Sequence, residues 1–402
     1  MPIMRQIIIL IMAALGGACH GHWTPLTQPG AAAWRAVRAQ PGGLAWVAGD
    51  AGQVCATLDG GGTWSQQPTP LSNSIRSVDF ASPLVGWISG VNGDAARTED
   101  GGAYWLRVPI ANDDLGIGPP DSIAPISAPD ETHAWALGRW SDTTFLYHTT
   151  NAGVSWSTVT YTNHGYASPN TLYSMAFTTD AGGWLVASRL AGTNYIPVLL
   201  RTVDGGATWQ AFDAPATQLN GAAGPAWEVA IQAVSTNRVW VHIWDTVNSR
   251  GILFTLNLAT PPNTWAWSVW TWNNRVREIS PFDLARGILV GDATWETPDG
   301  FATIHTTTVS GALPLAADFA SATEGYAAGP DGALYRWNPD LWGDANQDGR
   351  VDVLDACSIA ALAAGRTPGP SVSRALSDVN GDGQVTVADA VRALRIAGGL
   401  SQ

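Results

Sequence analysis

Thr57-Leu-Asp-Gly-Gly-Gly-Thr-Trp64 and Thr202-Val-Asp-Gly-Gly-Ala-Thr-Trp209 carry one pattern, T-x-D-x-G-x-T-W, at two distant places in the chain. Thr149-Thr-Asn-Ala-Gly-Val-Ser-Trp156 repeats it with Asn for Asp, and Thr98-Glu-Asp-Gly-Gly-Ala-Tyr-Trp105 keeps most of it. Thr297, Asp299 and Thr303 are a remnant, and a decayed trace ends at Trp265. The residue types suit a tight turn between two strands. The Asp side chain accepts backbone N–H bonds across the turn. Glycine supplies a positive φ. The closing tryptophan is an apolar plate large enough to cover a seam between neighbouring sheets.

A second repeat precedes the first. A small or apolar residue, an aromatic and often a glycine three residues on occur as Ala45-Trp46 with Gly49, Gly86-Trp87 with Gly90, Ala134-Trp135 with Gly138 and Gly183-Trp184 with Ala187. Looser copies are Val239-Trp240, Gly287-Ile288 and Gly325-Tyr326. From Trp46 to Tyr326 the seven copies are spaced by 41, 48, 49, 56, 48 and 38 residues. That period suits one four-stranded blade, so the expected fold is an all-β seven-bladed propeller over residues 20–340. The turn pattern resembles the Asp-box, or bacterial neuraminidase repeat (BNR). The unit from Ile75 to Trp105 looks like the propeller of the photosystem II stability/assembly factor family. That family carries arginines along its inner strands, and Arg76 and Arg277 match them here.

The seventh copy offers three strands before the composition changes. His22-Trp23-Thr24 reads like an outer strand and stands alone before the first blade. Residues 22–26 are therefore expected to complete the last blade beside Ala333–Trp337, which leaves no free sheet edge.

After Trp342 a different rule takes over. Asp344, Asn346, Asp348, Gly349, Asp352 and Asp355 fall at positions 1, 3, 5, 6, 9 and 12 of a loop. Asp378, Asn380, Asp382, Gly383, Thr386 and Asp389 repeat it 34 residues on. Oxygen ligands at alternate positions, a glycine at the bend and a closing carboxylate make an EF-hand calcium loop, with the carbonyls of Arg350 and Gln384 at position 7. A short helix is expected after each loop, Val353 to Ala364 and Val387 to Ile396. The duplicated loop-helix unit, residues 341–402, looks like a type I dockerin. The resemblance implies two bound calcium ions, a small all-α domain, and a cohesin-like domain or other envelope protein as partner. Cellulosomal dockerins commonly have Ser-Thr at loop positions 10 and 11; this chain has Val353-Leu354 and Val387-Ala388. Cys357 reads as a small core residue of the first helix.

Arg5, the apolar run Ile7–Leu15 and small residues up to Ala18 have the layout of a secretory signal peptide, residues 1–18. Cys19 then resembles the acylated cysteine of a bacterial lipobox, with free secretion as the other reading. The expected location is extracellular or at the cell envelope. The chain holds 20 basic residues, all arginine, and a net charge of −13. Lysine chemistry is excluded, and a chain without a basic tract is not expected to bind nucleic acid. Three cysteines, Cys19, Cys55 and Cys357, make no disulfide framework.

For activity, a glycosidase needs two carboxyl groups facing one another. Glu228 and Glu278 on neighbouring inner strands are the candidates. A sialidase is not expected: the nearest string to its Arg-Ile-Pro motif is Tyr195-Ile196-Pro197, without the arginine. The primary expectation is a non-catalytic binding or scaffold propeller with a glycan or protein ligand. The alternative is a glycoside hydrolase acting on extracellular polysaccharide. Trp140, Trp244, Trp270 and Trp272, with Arg139 and Arg275, are expected in connections on the face opposite the Asp-box turns, where aromatics could stack on sugar rings or hold a protein.

Overall fold

The computed structural model describes residues 22–27, 30, 32–110, 120–141, 143–159, 171–191, 194–213, 227–246, 249–258, 266–271, 274–281, 286–297, 301, 304–309, 311–321, 323–338, 345, 353–366, 377 and 384–397. Trp23–Trp337 forms one compact unit, and Asn338–Gln402 belongs to a second.

The first unit is a seven-bladed propeller. Six blades are four-stranded antiparallel sheets ordered as in the chain, and the seventh has five strands. The inner strands are Trp34–Gln40, Ile75–Phe80, Ser122–Ser127, Thr171–Phe177, Trp227–Ser235, Val276–Pro281 and Ala316–Ser321, in blades 1 to 7. The fifth blade, whose turn pattern has decayed, nonetheless builds strands of nine, eight, eight and six residues.

Each full turn pattern folds as its residue types dictate. In blade 1 the Asp59 carboxylate accepts the Thr63 N–H at 2.8 Å, and Thr57 Oγ1 accepts the Gly61 N–H at 2.9 Å. Asp204 and Thr202 make the same pair of bonds in blade 4. The glycine is required twice over. Gly153 has φ +81°, and a Cβ there would stand 2.7 Å from the Trp87 ring of the preceding blade. In blade 6 Phe301 occupies this position at φ 74° and packs on Trp240, with ring centroids 4.5 Å apart.

The seams are aromatic. Trp46 of blade 1 stacks on Phe80 of blade 2 at 3.7 Å, and Trp135 of blade 3 on Phe177 of blade 4 at 4.0 Å. Trp156 meets Trp87 edge-on across the seam between blades 2 and 3. Above these rings Arg97 lies over Trp87 and donates to the Glu131 carbonyl of the next blade. Arg201 lies over Trp184 and donates to Thr236. In blade 3 His148 takes this place, stacked on Trp135 at 3.8 Å. Burial holds the imidazole of His148 down to about 4, so it packs there as a neutral ring.

The ring closes through its N-terminus. His22–Pro25 lies in blade 7 between Leu334–Asn338 and a two-residue strand, Thr308–Val309. The expected pairing with the end of the last blade is present. The fifth strand outside it was not expected; it is the chain crossing over from the edge of blade 6. Trp23 is buried, with its ring 5.1 Å from Trp337 and 5.6 Å from Phe319. The Leu26 N–H donates to the Leu334 carbonyl at 2.9 Å. Blade 1 is fastened to blade 7 by the Trp34 N–H on the Gly329 carbonyl, and by the Asp318 carboxylate, which accepts the Ala39 N–H at 2.8 Å.

The second unit contains two eleven-residue helices, Val353–Ala363 and Val387–Ala397, within a residue of their expected ends. Their core is small: Ala345, Ala356, Ile359, Ala390 and Ala393 are buried together. Cys357 is exposed, which corrects its expected place in that core. It follows Ala356 by about 100° of helix rotation, off the buried stripe.

Replacing Trp23 by Ala removes a buried indole from the closing strand and is expected to lower stability by about 3–5 kcal/mol, measured by urea unfolding of the full chain. A loss below about 1 kcal/mol would contradict this closure.

Candidate functional site

The seven inner strands surround a polar central channel of about 450 Å³. Five of them carry a register shift near their first residues: between Trp34 and Ala36, Ile75 and Ser77, Ile123 and Ile126, Leu172 and Ser174, and Val276 and Glu278. A bulge re-aims the residue it inserts. Three of the five shifts place an arginine there, Arg35, Arg76 and Arg277, and all three line the channel. These inner-strand starts lie at the face opposite the T-x-D-x-G turns. Arg35 and Arg38 were not picked out in the sequence, because the first inner strand lacks the phenylalanine that marks its counterparts.

The arginines are partly neutralised. Arg35 forks onto Asp50 at 3.1 and 2.8 Å. Asp50 is held below its ordinary value, first by that bond. Arg277 is 3.4 Å from Asp292. Arg76 is exposed and makes no ion pair among the described residues.

Deeper in the channel Arg38 bridges two blades, 3.0 Å from Asp79 and 3.4 Å from Asp318. Asp79 also accepts the Ala128 N–H of blade 3 at 2.7 Å. Glu278 lines the same space. Its carboxyl is pushed up to about 8, first by loss of solvent and then by the charge of Asp318. Asp318 is raised by desolvation against the opposing pull of Arg38.

The two glutamates therefore part company. Glu278 faces the channel. Glu228 is forked onto Arg275, an ion pair that also raises Arg275. Trp244 stands opposite Glu228 across the strand pair. Three of the four expected aromatics are in strands, not connections. Trp140 ends the strand Ala134–Trp140, Trp244 lies within Arg238–Asp245, and Trp270 within Ala266–Thr271. Regular pairing in these blades runs further toward this face than the turn signals suggested. Trp140 is 40% exposed, while Trp244 is partly buried beside His242. The two stand on blades 3 and 5, with blade 4 between them. Arg139 holds the tip of its hairpin, with Nε on the Ser141 carbonyl at 3.0 Å. Trp272 and Cys19 lie outside the described residues, as does the Trp270 side chain.

His242 and Cys55 are packed core. Burial drives His242 down to about 3 and Cys55 up to about 11, so neither serves as base or nucleophile near neutrality.

Of the calcium-loop residues, Asp344, Asn346, Asp348, Arg350, Asp352, Asp378, Asn380 and Asp382 lie outside the described residues. The two position-12 carboxylates are described, and both are fully buried in the first turn of a helix, Asp355 and Asp389. Asp389 accepts the Thr386 N–H at 2.8 Å and its hydroxyl at 3.0 Å, and Gln384 is just upstream. Carboxylates sealed into so small a domain fit a hard-cation site.

Residues 342–393 match the dockerin type I domain. This stretch is a type I dockerin. Type I dockerins generally bind calcium, attach to cohesin-bearing partners and typically occur in extracellular proteins. Ahead of the dockerin, the propeller is similar to solved propellers. A YCF48 protein solved with a D1 peptide is 18% identical over 78% of this chain and 96% of its own, with TM-score 0.56. YCF48 from Cyanidioschyzon merolae is 17% identical over 79% and 98%, with TM-score 0.57. The GH74 enzyme of Niastella koreensis is 12% identical over 78% of this chain, with TM-score 0.55; the chain spans 53% of that enzyme. Identities this low establish the fold alone. No curated protein matches the chain.

A carboxyl with a raised value favours folding at low pH. Glu278 keeps its proton in the fold to about 8, whereas an unfolded glutamate loses it near 4.5. Its contribution is complete below the unfolded value and is lost as pH rises through the folded one. Thermal melts of Glu278→Gln should therefore lack a decline in Tm that the parent shows between pH 5 and 9; parallel curves would refute the assignment.

Proposed function

We propose that this chain is an exported, non-catalytic binding propeller carried by its dockerin to a cohesin-bearing partner. The observation that carries the reading is the pairing of a type I dockerin with a propeller in which one candidate carboxylate is taken up by an arginine and only the other lines the channel. Glu228 is engaged by Arg275, and Glu278 lines the channel among Asp318, Asp79 and Arg38. A retaining or inverting glycosidase needs an opposed pair about 5–10 Å apart. The channel mouth, with Arg35, Arg76 and Arg277, suits an anionic ligand, in keeping with the arginines of the photosystem II assembly factor family.

The dockerin's partner face has its own character. Val353 and Leu354 are 59% and 64% exposed, and Val387, Val391 and Leu394 are also exposed. Aliphatic side chains at loop positions 10 and 11 suit a cohesin-like surface with an apolar patch rather than one that reads hydroxyl groups. Two calcium ions would sit among Asp344, Asn346, Asp348, the Arg350 carbonyl, Asp352 and Asp355, and among Asp378, Asn380, Asp382, the Gln384 carbonyl, Thr386 and Asp389. Export through residues 1–18, with or without acylation of Cys19, places the protein outside the cell.

Calorimetry of the full chain is expected to show two calcium sites. Asp344→Ala combined with Asp378→Ala should abolish calcium binding and leave the propeller folded; retained binding heat in that variant would refute the loop assignment. On a panel of plant and microbial polysaccharides no hydrolysis is expected. Release of sugar that disappears in Glu228→Gln or Glu278→Gln would establish the glycosidase alternative instead.

A further inference from the structure

Arg277 and Glu278 are consecutive, and the register shift between Val276 and Glu278 lets both line the channel. A cationic fork and a carboxyl thus share one wall. The channel that Glu278 lines is also lined by Asp318 from blade 7, Arg35 and Arg38 from blade 1, and Arg76 and Asp79 from blade 2. Arg277 with Asp292 stands on its own blade, and the Glu228–Arg275 pair is contributed by blade 5 and the start of blade 6. Arg35, Arg38, Arg76 and Arg277 stand against Asp50, Asp79, Asp292 and Asp318, and Arg76 is the one of the four arginines that makes no ion pair among the described residues. One such cation suits a singly charged group better than a doubly charged phosphate or sulfate.

We infer that Glu278 acts in this channel as a carboxylic acid whose O–H donates a hydrogen bond to the carboxylate of a small ligand gripped by Arg35, Arg76 and Arg277. The inference rests on the reading of the channel as the ligand site of a binding propeller, and it names the ligand class. One geometric and one electrostatic observation support it. The site is a confined polar space of about 450 Å³, room for a single sugar acid or a short acyl group. Loss of solvent and then the charge of Asp318 raise the Glu278 carboxyl, so the proton is retained at neutral pH. A neutral acid beside arginines can donate to an incoming anion; an ionised one would repel it.

The consequence is proton-linked binding. Loss of the Glu278 proton removes a donor and adds a repelling charge, so affinity should fall as pH rises through about 8. Glu278 thus sets the pH dependence of binding, and the arginines hold the anion.

Calorimetry of the full chain with galacturonate tests this, with galactose as the uncharged counterpart and propionate as a carboxylate without a sugar. Galacturonate should bind at pH 7 and weaken by about tenfold or more by pH 9.5. Galactose should not bind. Propionate binding with the same profile would show that the carboxylate alone suffices; galacturonate alone would show that the sugar contributes, and either supports the inference. At pH 9.5 Glu278→Gln, which keeps an N–H donor, should bind at least tenfold more tightly than the parent. Glu278→Ala should be weak at both pH values, and Arg76→Ala should lose binding at pH 7. Carboxylate binding with a flat pH profile would overturn the role of Glu278 and leave the channel as a ligand site. Failure of the folded parent to bind either carboxylate at pH 7 would overturn both. Sulfate binding more tightly than either would overturn the choice of a singly charged ligand.

Discussion

The propeller depends on one insertion: four residues, His22–Pro25, seated between Leu334–Asn338 and Thr308–Val309. Blade 7 has no outer strand of its own in chain order. Without the insertion its third strand would be an open edge, and the seam with blade 1 would rest on fewer bonds. The inserted strand is hydrogen-bonded on both sides, and Trp23 anchors it against Trp337 and Phe319. The Asp318 contacts to Ala39 and Arg38 lie on the same seam. The acid that influences Glu278 is thus also a bond that closes the ring.

Closure and site share a division of labour. Toward the turn face, stacked rings, glycines pressed on the preceding blade's tryptophan, and cations laid over those rings hold the blades in register. At the opposite face the inner strands carry register shifts, and there arginines are brought to the channel. Regular packing tolerates little polarity, so charges collect where the ladder is interrupted and water remains. Arg38, between Asp79 and Asp318, separates the two zones by offsetting acids that serve as inter-blade acceptors.

Much of this was legible in the residues. The turn pattern and the aromatic repeat have local causes, a carboxylate across a turn and a plate at a seam, so they mark each blade wherever they survive. Trp23 could be placed because an outer strand was missing and a matching phrase stood alone. The fifth strand of blade 7 could not, since Thr308–Val309 is two residues without a pattern. The exposed aromatics were assigned to connections because turn signals do not say how far pairing extends; Trp140 and Trp244 are the ends of strands. The channel was the least legible part. Arg35 and Arg38 lie in a strand without the marking phenylalanine, and the proton on Glu278 arises from burial and then from Asp318 on another blade, which no spacing records.

The propeller closes on itself, and the proposed calcium dependence of the dockerin sets it apart as a second unit of the same chain. Hydrogen exchange of the full chain, followed by mass spectrometry in calcium and in chelator, tests this most directly. The predicted result is that chelation exposes the amides of 353–363 and 387–397, while residues 22–26 and 334–338 stay as protected as the inner strands. Exchange at 22–26 like a free tail in calcium, or loss of protection spreading through the blades on chelation, would contradict it.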